Sequence, residues 1–540
     1  MSTRYIQHLI DAMTPQKAKA RKGQKRNLAG GYCFVLDKWA QLERFLILGT
    51  EGGSYYASER SMTRDNATCV QACLDEDGAR AVAVIADVSD KGRAPKNDAA
   101  IFALAMAASP PRAEVRQAAF SALPKVCRIG THLMHFAGNV TGMRRWGRGL
   151  RRAVGDWYNQ LPPQKLVLQV TKYGQRDGWS HRDLLRLAHP KAASATHNAV
   201  FRWVVAGSSE AIETPAKRGT TPSLEHLPES LMAFEVLRTT DRKRDVVELI
   251  RAYGFTHEMI PTQWKNEREV WEVLLEKMPM TALVRNLAKM TEVGLLTPLG
   301  DATRKATALL TDPQRLRQAR VHPLALLGAL KVYQQGHGAR GSLSWTPVRE
   351  VQDALEEAFY ASFGTLEPTH KRHLLALDVS GSMECGTLSG MPGITPRVGS
   401  AAMAMVTART EQHAHFVGFS HELVPLGISA KQSLEQVVET VSRVPMGGTD
   451  CAQPMLYARK HRIPVDTFVV YTDNETWAGN VHPFQALLDY RQALGIAAKL
   501  IVVGMTATKF SIADPTDPGM LDVVGFDLAA PAVMADFARN

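Results

Sequence analysis

The chain has 540 residues, of which 45% are apolar, and its formal net charge is +11. That length exceeds what a single hydrophobic core usually supports, so at least two domains are expected. No run of 18 uncharged apolar residues occurs, and the N-terminus lacks the apolar stretch of a secretory signal, which predicts a cytoplasmic protein with no membrane span. The six cysteines form no CxxC pair, which argues against a disulfide scaffold or a zinc site.

The charge is distributed unevenly along the chain. Residues 1–370 carry a net charge of +14, whereas residues 371–540 carry −3. An excess of cations confined to one region is typical of proteins that bind a polyanion. Ordinary solvated lysines and arginines on helix surfaces are the alternative explanation.

Residues 1–26 are predicted to form a flexible, basic N-terminal tail. The segment PQKAKARKGQKR contains six lysines and arginines and no apolar periodicity. Such a segment could touch RNA as a mobile arm, but a disordered, solvated tail is the favoured interpretation.

Residues 27–368 are predicted to form an all-helical domain. Amphipathic windows such as QAAFSALPKVCR, EREVWEVLLEKM and TALVRNLAKM recur, with few alternating β-type runs. Stacked helix pairs would explain the length of this region without one very large core, although no strict repeat period is visible. Residues 208–230 are polar and rich in Pro, Ser and Thr, which predicts a surface loop between two helical blocks.

The densest cluster of cations lies in VTKYGQRDGWSHRDLLRLAHPK, residues 170–191, with Tyr173 and Trp179 interleaved. Lysine and arginine pair with phosphates, and aromatic rings stack on bases, which is how single-stranded nucleic acid is held without strict sequence reading. A charged but functionless helix face is the alternative. The cationic and histidine side chains of this cluster are Lys172, Arg176, His181, Arg182, Arg186, His189 and Lys191.

Residues 369–540 are predicted to form an α/β domain. Four apolar strands, HLLALDVS, HAHFVGFS, DTFVVYTDN and AAKLIVVGM, alternate with helical segments. Continuous apolar strands separated by helices indicate a doubly wound parallel sheet that is covered on both faces. Ligands of such sheets bind beyond the carboxyl ends of the strands, where Asp378 and Asp473 fall.

Hard oxygen donors are concentrated at those strand ends. The D-x-S-x-S turn after the first strand supplies one carboxylate and two hydroxyls, and the segments PMGGTD and YTDNETW add more oxygen groups. Oxygen ligands of this kind suit one Mg²⁺ or Mn²⁺ ion better than zinc. The predicted ligands are Asp378, Ser380, Ser382, Thr449 and Asp473.

A catalytic role for this site is disfavoured. A phosphatase that forms an aspartyl phosphate would carry a second acid two residues after its nucleophile, but that position is Ser380. A two-metal nuclease would need more carboxylates than Asp378 and Asp473 supply. Glu475 could add one, or it could simply face solvent. The protein is therefore expected not to be an enzyme.

The motif set DVSGSM, GGTDCAQPM and YTDNETWAG resembles the metal-ion-dependent adhesion site of von Willebrand factor A domains. The longer segments WGRGLRRAVGDWYN, VTKYGQRDGWSHRDLLRLAHPK and MPMTALVRNLAKM resemble the TROVE module. Together they give the layout of the Ro family of ribonucleoproteins, and the resemblance covers nearly the whole chain.

The resemblance implies a monomeric ring of HEAT-like helical repeats that is closed by the A domain. It further implies binding of small noncoding Y RNAs on the outer surface and of single-stranded 3′ ends of misfolded RNAs in the central hole, in RNA quality control and stress survival. In bacterial members an exoribonuclease is a partner.

The family's RNA-contacting helix corresponds to TKYGQRDGWSH, so Lys172, Arg176 and His181 are carried over first. Arg182, Arg186, His189 and Lys191 follow, and Arg148, Arg151 and Arg152 could line the same surface. The alternative function is a metal-dependent protein-binding or assembly factor that acts through the A domain.

Overall fold

The computed structural model describes residues 14–48, 67–207, 226–319, 321–338, 342–364, 366–388, 393–506, 508–527 and 529–540. Within them a short N-terminal segment leads into a long helical region, which is followed by an α/β domain. Among these residues no helix is both long enough and apolar enough to cross a membrane. The predicted loop at 208–230 lies outside the described residues up to position 225, and the next helix begins at Glu229.

The helical region contains the helices that the amphipathic windows predicted. They are α1 (Lys38–Leu48), α2 (Thr68–Asp90), α3 (Asp98–Ala107), α4 (Ala113–Val126), α5 (Gly130–Met143), α6 (Arg148–Asn159), α7 (Pro163–Lys172), α8 (His181–Ala188), α9 (Ala195–Ala206), α10 (Glu229–Thr239), α11 (Lys243–Tyr253), α12 (Arg268–Glu276), α13 (Met280–Glu292), α14 (Asp301–Leu310), α15 (Pro313–Ala319), α16 (Pro323–Gln335) and α17 (Arg349–Ala361). A two-stranded hairpin of β3 (Gln175–Arg176) and β4 (Trp179–Ser180) precedes α8.

Packing between these helices follows a stacked pattern. Helix α2 contacts α3 and α4, and the pairs α3 and α5, α4 and α6, and α6 and α8 also touch. Contact with both the next helix and the one after it is typical of stacked helix pairs, in which each repeat buries its apolar face against its neighbours. The prediction of HEAT-like helical repeats is thereby confirmed.

The α/β domain is built on a six-stranded sheet. Its strands are β5 (Arg372–Asp378), β6 (His413–Phe419), β7 (Leu423–Leu426), β8 (Thr467–Thr472), β9 (Lys499–Gly504) and β11 (Met520–Val524), in the order β11-β9-β8-β5-β6-β7. The helices are α18 (Pro396–Thr410), α19 (Leu434–Ser442), α20 (Gln453–Lys460), α21 (Pro483–Leu494) and α22 (Ala530–Arg539). All pairs are parallel except β6 with β7.

The four predicted strands are β5, β6, β8 and β9, and the predicted parallel sheet is confirmed. The sequence pattern did not indicate the two edge strands. Strand β7 has four residues that include a proline, and β11 is only partly buried, so neither has the continuous apolar run that marks a central strand.

Residues 14–26 correct the prediction of a flexible tail over residues 1–26, of which residues 1–13 lie outside the described part. Strands β1 (Gln24–Arg26) and β2 (Tyr32–Val35) form an antiparallel sheet with β10 (Phe510–Ser511). Gln16 and Gln24 are buried, and Arg21 pairs with Asp514 of the α/β domain. The charge composition could not predict this packing, because Gln16, Arg21 and Gln24 have partners in the α/β domain that lie more than 400 positions away in the chain. We call residues 14–37 the N-terminal strap.

The helical region contacts the α/β domain at both of its ends. Near the first end, Arg44 of α1 is buried and pairs with Asp522 of β11. Near the last end, Glu356 of α17 accepts hydrogen bonds from Arg409 of α18, at 3.2 Å, and from the backbone N–H of Leu434, at 3.0 Å. The helical region therefore begins and ends on the same domain, which closes the path of contacts into a ring.

Candidate metal centre and nucleic-acid interface

Asp378 and Asp473 emerge side by side at the carboxyl edge of the sheet, because β5 and β8 are parallel neighbours. The Oδ1 atom of Asp378 accepts the backbone N–H of Ser380 at 2.9 Å, and its Oδ2 accepts the Thr472 hydroxyl at 2.6 Å. Asp473 Oδ1 accepts the N–H of Glu475 at 3.0 Å. Both carboxylates are buried and fixed in direction by the loops that follow their strands.

The two serines of the D-x-S-x-S turn lie with them. The hydroxyl oxygens of Ser380 and Ser382 are 3.1 Å apart, and both residues are buried. The Oδ2 atom of Asp473 is buried and has no hydrogen-bond partner within the described residues. A buried carboxylate oxygen without a partner is costly unless a cation neutralises it.

Electrostatics at this site favour a cation. Burial, and then the neighbouring charge of Asp473, raise the pKa of Asp378 to about 7. Burial also raises the pKa of Asp473, against the opposing effect of the Ser382 hydroxyl. The donors are carboxylate and hydroxyl oxygens, which fit Mg²⁺ or Mn²⁺ by their chemistry. Within the described residues no three His, Cys, Asp or Glu side chains converge into a metal-binding group.

The loop that carries Thr449 is bonded to the loop after Asp473. The carbonyl of Thr449, a buried residue, accepts the N–H groups of Trp477 at 3.0 Å and Ala478 at 2.9 Å. The adjacent Asp450 carboxylate is already engaged, since it accepts the side-chain amides of Gln16 at 2.7 Å and Gln453 at 2.8 Å. Asp450 therefore bonds the protein's own amides and is not free to act as a further ligand.

Glu475 does not face solvent: one carboxylate oxygen bonds the N-terminal strap, and the other, Oε1, is buried without a hydrogen-bond partner among the described residues. Its side chain is buried, and Oε2 accepts the backbone N–H of Ala29 in the N-terminal strap at 3.0 Å. Burial raises the pKa of Glu475 to about 7. The sequence motif alone gave no sign of this role, because the acceptor and donor are 446 positions apart.

The basic cluster of residues 170–191 divides into buried, paired and exposed members. His181 is 3% exposed and lies inside the helix packing, where Nδ1 is 2.8 Å from the Tyr158 hydroxyl and Nε2 is 3.1 Å from the Gln169 carbonyl. Burial lowers the pKa of His181 to about 4, so the ring is neutral near pH 7. The expectation that His181 contacts RNA is therefore corrected: the structure makes it a core residue.

Lys172 and Arg176 differ from each other. The Lys172 ammonium lies 3.3 Å from a carboxylate oxygen of Glu258 and over the ring of Tyr173, and its side chain is only 14% exposed. Arg176 lies in the hairpin, is exposed and is 3.4 Å from Asp177. Of these two positions, Arg176 is the accessible cation.

The remaining predicted cations are exposed and unpaired. They lie on α6, on α8, or just after α8, and none forms an ion pair among the described residues. Helices α6 and α8 pack against each other, so the structure brings these side chains onto adjacent helices. They are Arg148, Arg151, Arg152, Arg182, Arg186 and Lys191, and His189 is exposed beside them.

Several cations elsewhere in the helical region, around α11, are paired with acids. Arg244 bonds Glu248 at 2.8 Å, Arg251 lies 3.3 Å from Glu276, and Lys243 contacts two glutamates at 3.1 Å. In contrast to these cations, the six on and after α6 and α8 have no ion pair among the described residues, which suits a phosphate-binding surface.

Two exposed cations near α6 in the chain, and the contact between two tryptophans, were not identified from the sequence. Arg145 precedes α6 in the chain, and Lys165 lies on α7. Both are exposed, and neither forms an ion pair among the described residues. The five arginines of RRWGRGLRR were the signal for Arg145, although Arg144 itself bonds the carbonyl of Ala108 at 2.6 Å. Trp146 and Trp179 stack with ring centroids 5.8 Å apart.

Comparisons with known proteins agree with this architecture. A family model described as the TROVE domain matches residues 25–218 and 248–331, and one described as the Ro60 vWA domain matches residues 372–538. A Deinococcus radiodurans protein named RNA-binding protein RO60 is 45% identical over 530 residues, which cover 97% of each chain. A Caenorhabditis elegans protein of the same name is 36% identical over 594 residues, which cover 97% of this chain and 91% of the relative.

One solved structure is similar over most of the chain. The crystal structure of the Deinococcus radiodurans RO (RSR) protein superposes with a TM-score of 0.69 at 45% identity, covering 93% of this chain and 99% of that chain.

Proposed function

The chain belongs to the family of RNA-binding Ro60 proteins, and from that premise we propose that it binds small noncoding Y RNAs through the exposed cations of α6 and α8. We further propose that it holds the single-stranded 3′ ends of misfolded RNAs in its central cavity. These activities serve RNA quality control and stress survival. The protein acts by binding, as a monomer, and not as an enzyme.

The observation that carries the first part is the exposure of Arg148, Arg151, Arg152, Arg182 and Arg186, none of which forms an ion pair with the residues that the structure describes. Like charges on adjacent helices repel one another, and a bound anion relieves that repulsion. A nucleic acid backbone supplies such anions at regular spacing, and its binding releases condensed counterions.

The closed path of contacts supports the proposal about RNA ends. A helical region that begins and ends on one domain can surround an opening, and a single strand would enter such an opening more easily than a duplex would. Separately from the opening, Trp146 and Trp179, which are half-buried and stack on each other, adjoin α6 and α8 in the chain and could contact unpaired bases there.

The experiment that tests RNA binding measures affinity against salt for the variant Arg148→Ala/Arg151→Ala/Arg152→Ala. Three lost phosphate contacts should weaken binding and lower the slope of log affinity against log salt by about 2, at roughly 0.7 per contact on a single strand. Filter binding with a Y-type hairpin RNA and with a hairpin that has a single-stranded 3′ extension gives the two slopes.

The matched control removes three arginines that are paired. Arg242→Ala/Arg244→Ala/Arg251→Ala deletes the same charge next to or on α11, where each side chain is exposed but close to an acid. Its slope should stay within error of the wild type. Equal slopes for the two triple variants would mean that the RNA responds only to total charge, and the proposed surface would be wrong.

We assign one Mg²⁺ or Mn²⁺ ion to the carboxyl edge of the sheet. Asp378, Ser380, Ser382, Thr449 and Asp473 would hold it, and the partnerless Oδ2 atom of Asp473 supports this assignment. When bound, such an ion offers an open coordination position to a carboxylate of a partner. These side chains would fix the position of the ion at the strand ends.

The second candidate function is metal-dependent protein binding through this site, with an exoribonuclease or another protein as the partner. The engaged state of Asp450 favours it, because two carboxylates and three hydroxyls then remain as protein ligands, which leaves one of the six positions of an octahedral ion for a partner. Asp473→Asn should abolish capture of the partner in Mg²⁺ and leave RNA affinity within about twofold. Loss of RNA affinity in that variant would contradict the proposal that the metal site and the RNA-binding surface are separate.

A further inference from the structure

Gln16 of the N-terminal strap is buried between the two loops that carry the predicted ligands Thr449 and Asp473. Its side chain is 0% exposed. Its Nε2 donates to Asp450 Oδ1 at 2.7 Å and to the carbonyl of Val481 at 2.9 Å, and its Oε1 accepts the hydroxyl of Thr476. One glutamine thus bonds the residue after Thr449 and two positions in the loop that follows Asp473.

Every polar group of Gln16 has a partner. Its backbone N–H donates to the carbonyl of Gly479 at 3.0 Å, and its carbonyl accepts the N–H of Tyr32 at 2.8 Å. A fully bonded, fully buried amide has one orientation, so it can fix the groups around it.

The Thr476 hydroxyl connects Gln16 to the loop that carries Thr449. Because it donates to Gln16, its lone pairs are free to accept the N–H of Cys451, which lies 3.1 Å away. Cys451 is two residues after Thr449, so the hydroxyl joins the Thr449 loop to the Asp473 loop. Removing Gln16 would leave Asp450 short of one donor and would leave the Thr476 hydroxyl with only the Thr449 carbonyl, 3.3 Å away, as an acceptor.

Close packing leaves little room for these loops to adjust. A Cβ atom on Gly479 would lie 2.3 Å from Asp450 Oδ1 and 2.3 Å from Gln16 Nε2. A Cβ atom on Gly31, in the strap, would lie 2.0 Å from the carbonyl oxygen of Thr476. The strap therefore lies directly on the backbone of the loop that follows Asp473.

We propose that Gln16 is a positioning residue for the metal site, which holds the Thr449 and Asp473 loops at the separation that a divalent cation requires. This inference rests on the proposed metal site. Groups that orient metal ligands from outside typically contribute about 10-fold to 100-fold in metal affinity. Gln16 comes from the opposite end of the chain, so the N-terminal strap belongs to the site although it precedes the helical region.

The test measures the affinity of the full-length protein for Mn²⁺ by electron paramagnetic resonance of the free ion. Gln16→Ala should weaken Mn²⁺ binding about tenfold or more. The matched control is Gln24→Ala, which removes a second buried glutamine from the same strap. Gln24 bonds the backbone of Ala20 and Arg21 and the ring of His482, and among the described residues no hydrogen bond joins it to Asp450 or Thr476. Its Mn²⁺ affinity should stay within about twofold of the wild type.

Thermal unfolding in EDTA separates positioning from stability. The melting temperature should fall by a similar amount in both glutamine variants, because both leave buried partners without a hydrogen bond. If Gln16→Ala does not fold, Gln16→Asn keeps the amide but shortens the side chain, and it should also weaken Mn²⁺ binding more than Gln24→Ala does.

Three outcomes overturn the inference, and they are distinguishable. Wild-type protein that binds no Mn²⁺ would remove the metal site itself. Wild-type affinity in Gln16→Ala would leave the metal site intact and remove the role of Gln16. Equal weakening in Gln16→Ala and Gln24→Ala would show that the strap acts only through general stability.

Discussion

At the scale of single residues, burial decides whether a titratable side chain serves stability or binding. His181 donates through Nε2 to the Gln169 carbonyl, which can only accept, so Nδ1 accepts the hydroxyl of Tyr158. A Cβ atom on Gly130 would lie 2.7 Å from the imidazole ring, which leaves no space for a ligand beside it. His189, in contrast, is exposed and therefore accessible to RNA.

Acid should weaken the fold through His181. Burial lowers its pKa to about 4 in the folded state, against about 6.5 when unfolded. The stability that depends on its neutral form is therefore complete above pH 6.5 and is lost as the pH falls toward 4. At pH 5 the expected loss is about 2 kcal/mol from this residue.

Urea unfolding at pH 7 and pH 5 measures this effect. His181→Gln, which does not titrate, should lose about 2 kcal/mol less than the wild type over that interval. Burial lowers the pKa of His132 and His322 to about 4 as well, so an acid-dependent loss from these residues should persist in the variant. An unchanged pH dependence in His181→Gln would contradict the assignment.

At the scale of elements, the hairpin and α8 are set by local signals. Asp177 and Gly178 both have positive φ, of 52° and 77°, which suits the tight turn that an Asp-Gly pair favours. Ser180 then caps α8: the backbone N–H of Asp183 donates to the serine hydroxyl, and the Asp183 carboxylate accepts the N–H of Ser180 at 2.9 Å. The cap fixes where α8 begins and therefore which residues face solvent.

Ser180→Ala should destabilise α8 by about 1 kcal/mol, because the first-turn N–H of Asp183 loses its acceptor. Hydrogen exchange of the α8 amides should become faster, while exchange in α6 should not change. Ser433→Ala is the matched control, since Ser433 forms the same capping box with Gln436 at α19 in the α/β domain. Faster exchange in α8 of the Ser433 variant would show a global effect and not a local cap.

At the scale of the whole molecule, Arg93 joins three parts of the chain. Its guanidinium contacts Asp527 at 2.6 Å and Glu43 of α1 at 2.8 Å. Its carbonyl oxygen lies 3.0 Å from Nε2 of His322, which precedes α16. The two carboxylates hold the pKa of Arg93 above its ordinary value despite burial. The first helices, the last helices and the α/β domain therefore meet at one residue.

Arg93→Ala should lower the free energy of unfolding by about 3 kcal/mol, because it leaves the buried carboxylate of Asp527 without its partner. Asp527→Ala should have a similar cost. The double variant should lose clearly less than the two single losses added together, which urea unfolding of all four proteins would measure. Additive losses would contradict direct coupling across the interface.

Local patterns in the sequence determined most of the fold and the identity of the metal-site motif. The helical windows, the four central strands and the D-x-S-x-S turn have periods or spacings that fit within about ten residues, so they are visible in the chain itself. The charge excess of the first 370 residues likewise indicated a polyanion partner before any side chain was placed.

Only the tertiary structure decided which of the candidate residues are accessible and what holds the loops. His181 is buried, Lys172 is paired with Glu258, and Glu475 bonds the strap. The N-terminal strap became part of the α/β domain through contacts such as Gln16 with Asp450, which are 434 positions apart. Contacts between residues so distant leave no local spacing in a single sequence, because their energy comes from desolvation and hydrogen bonding that exist only after the chain has folded.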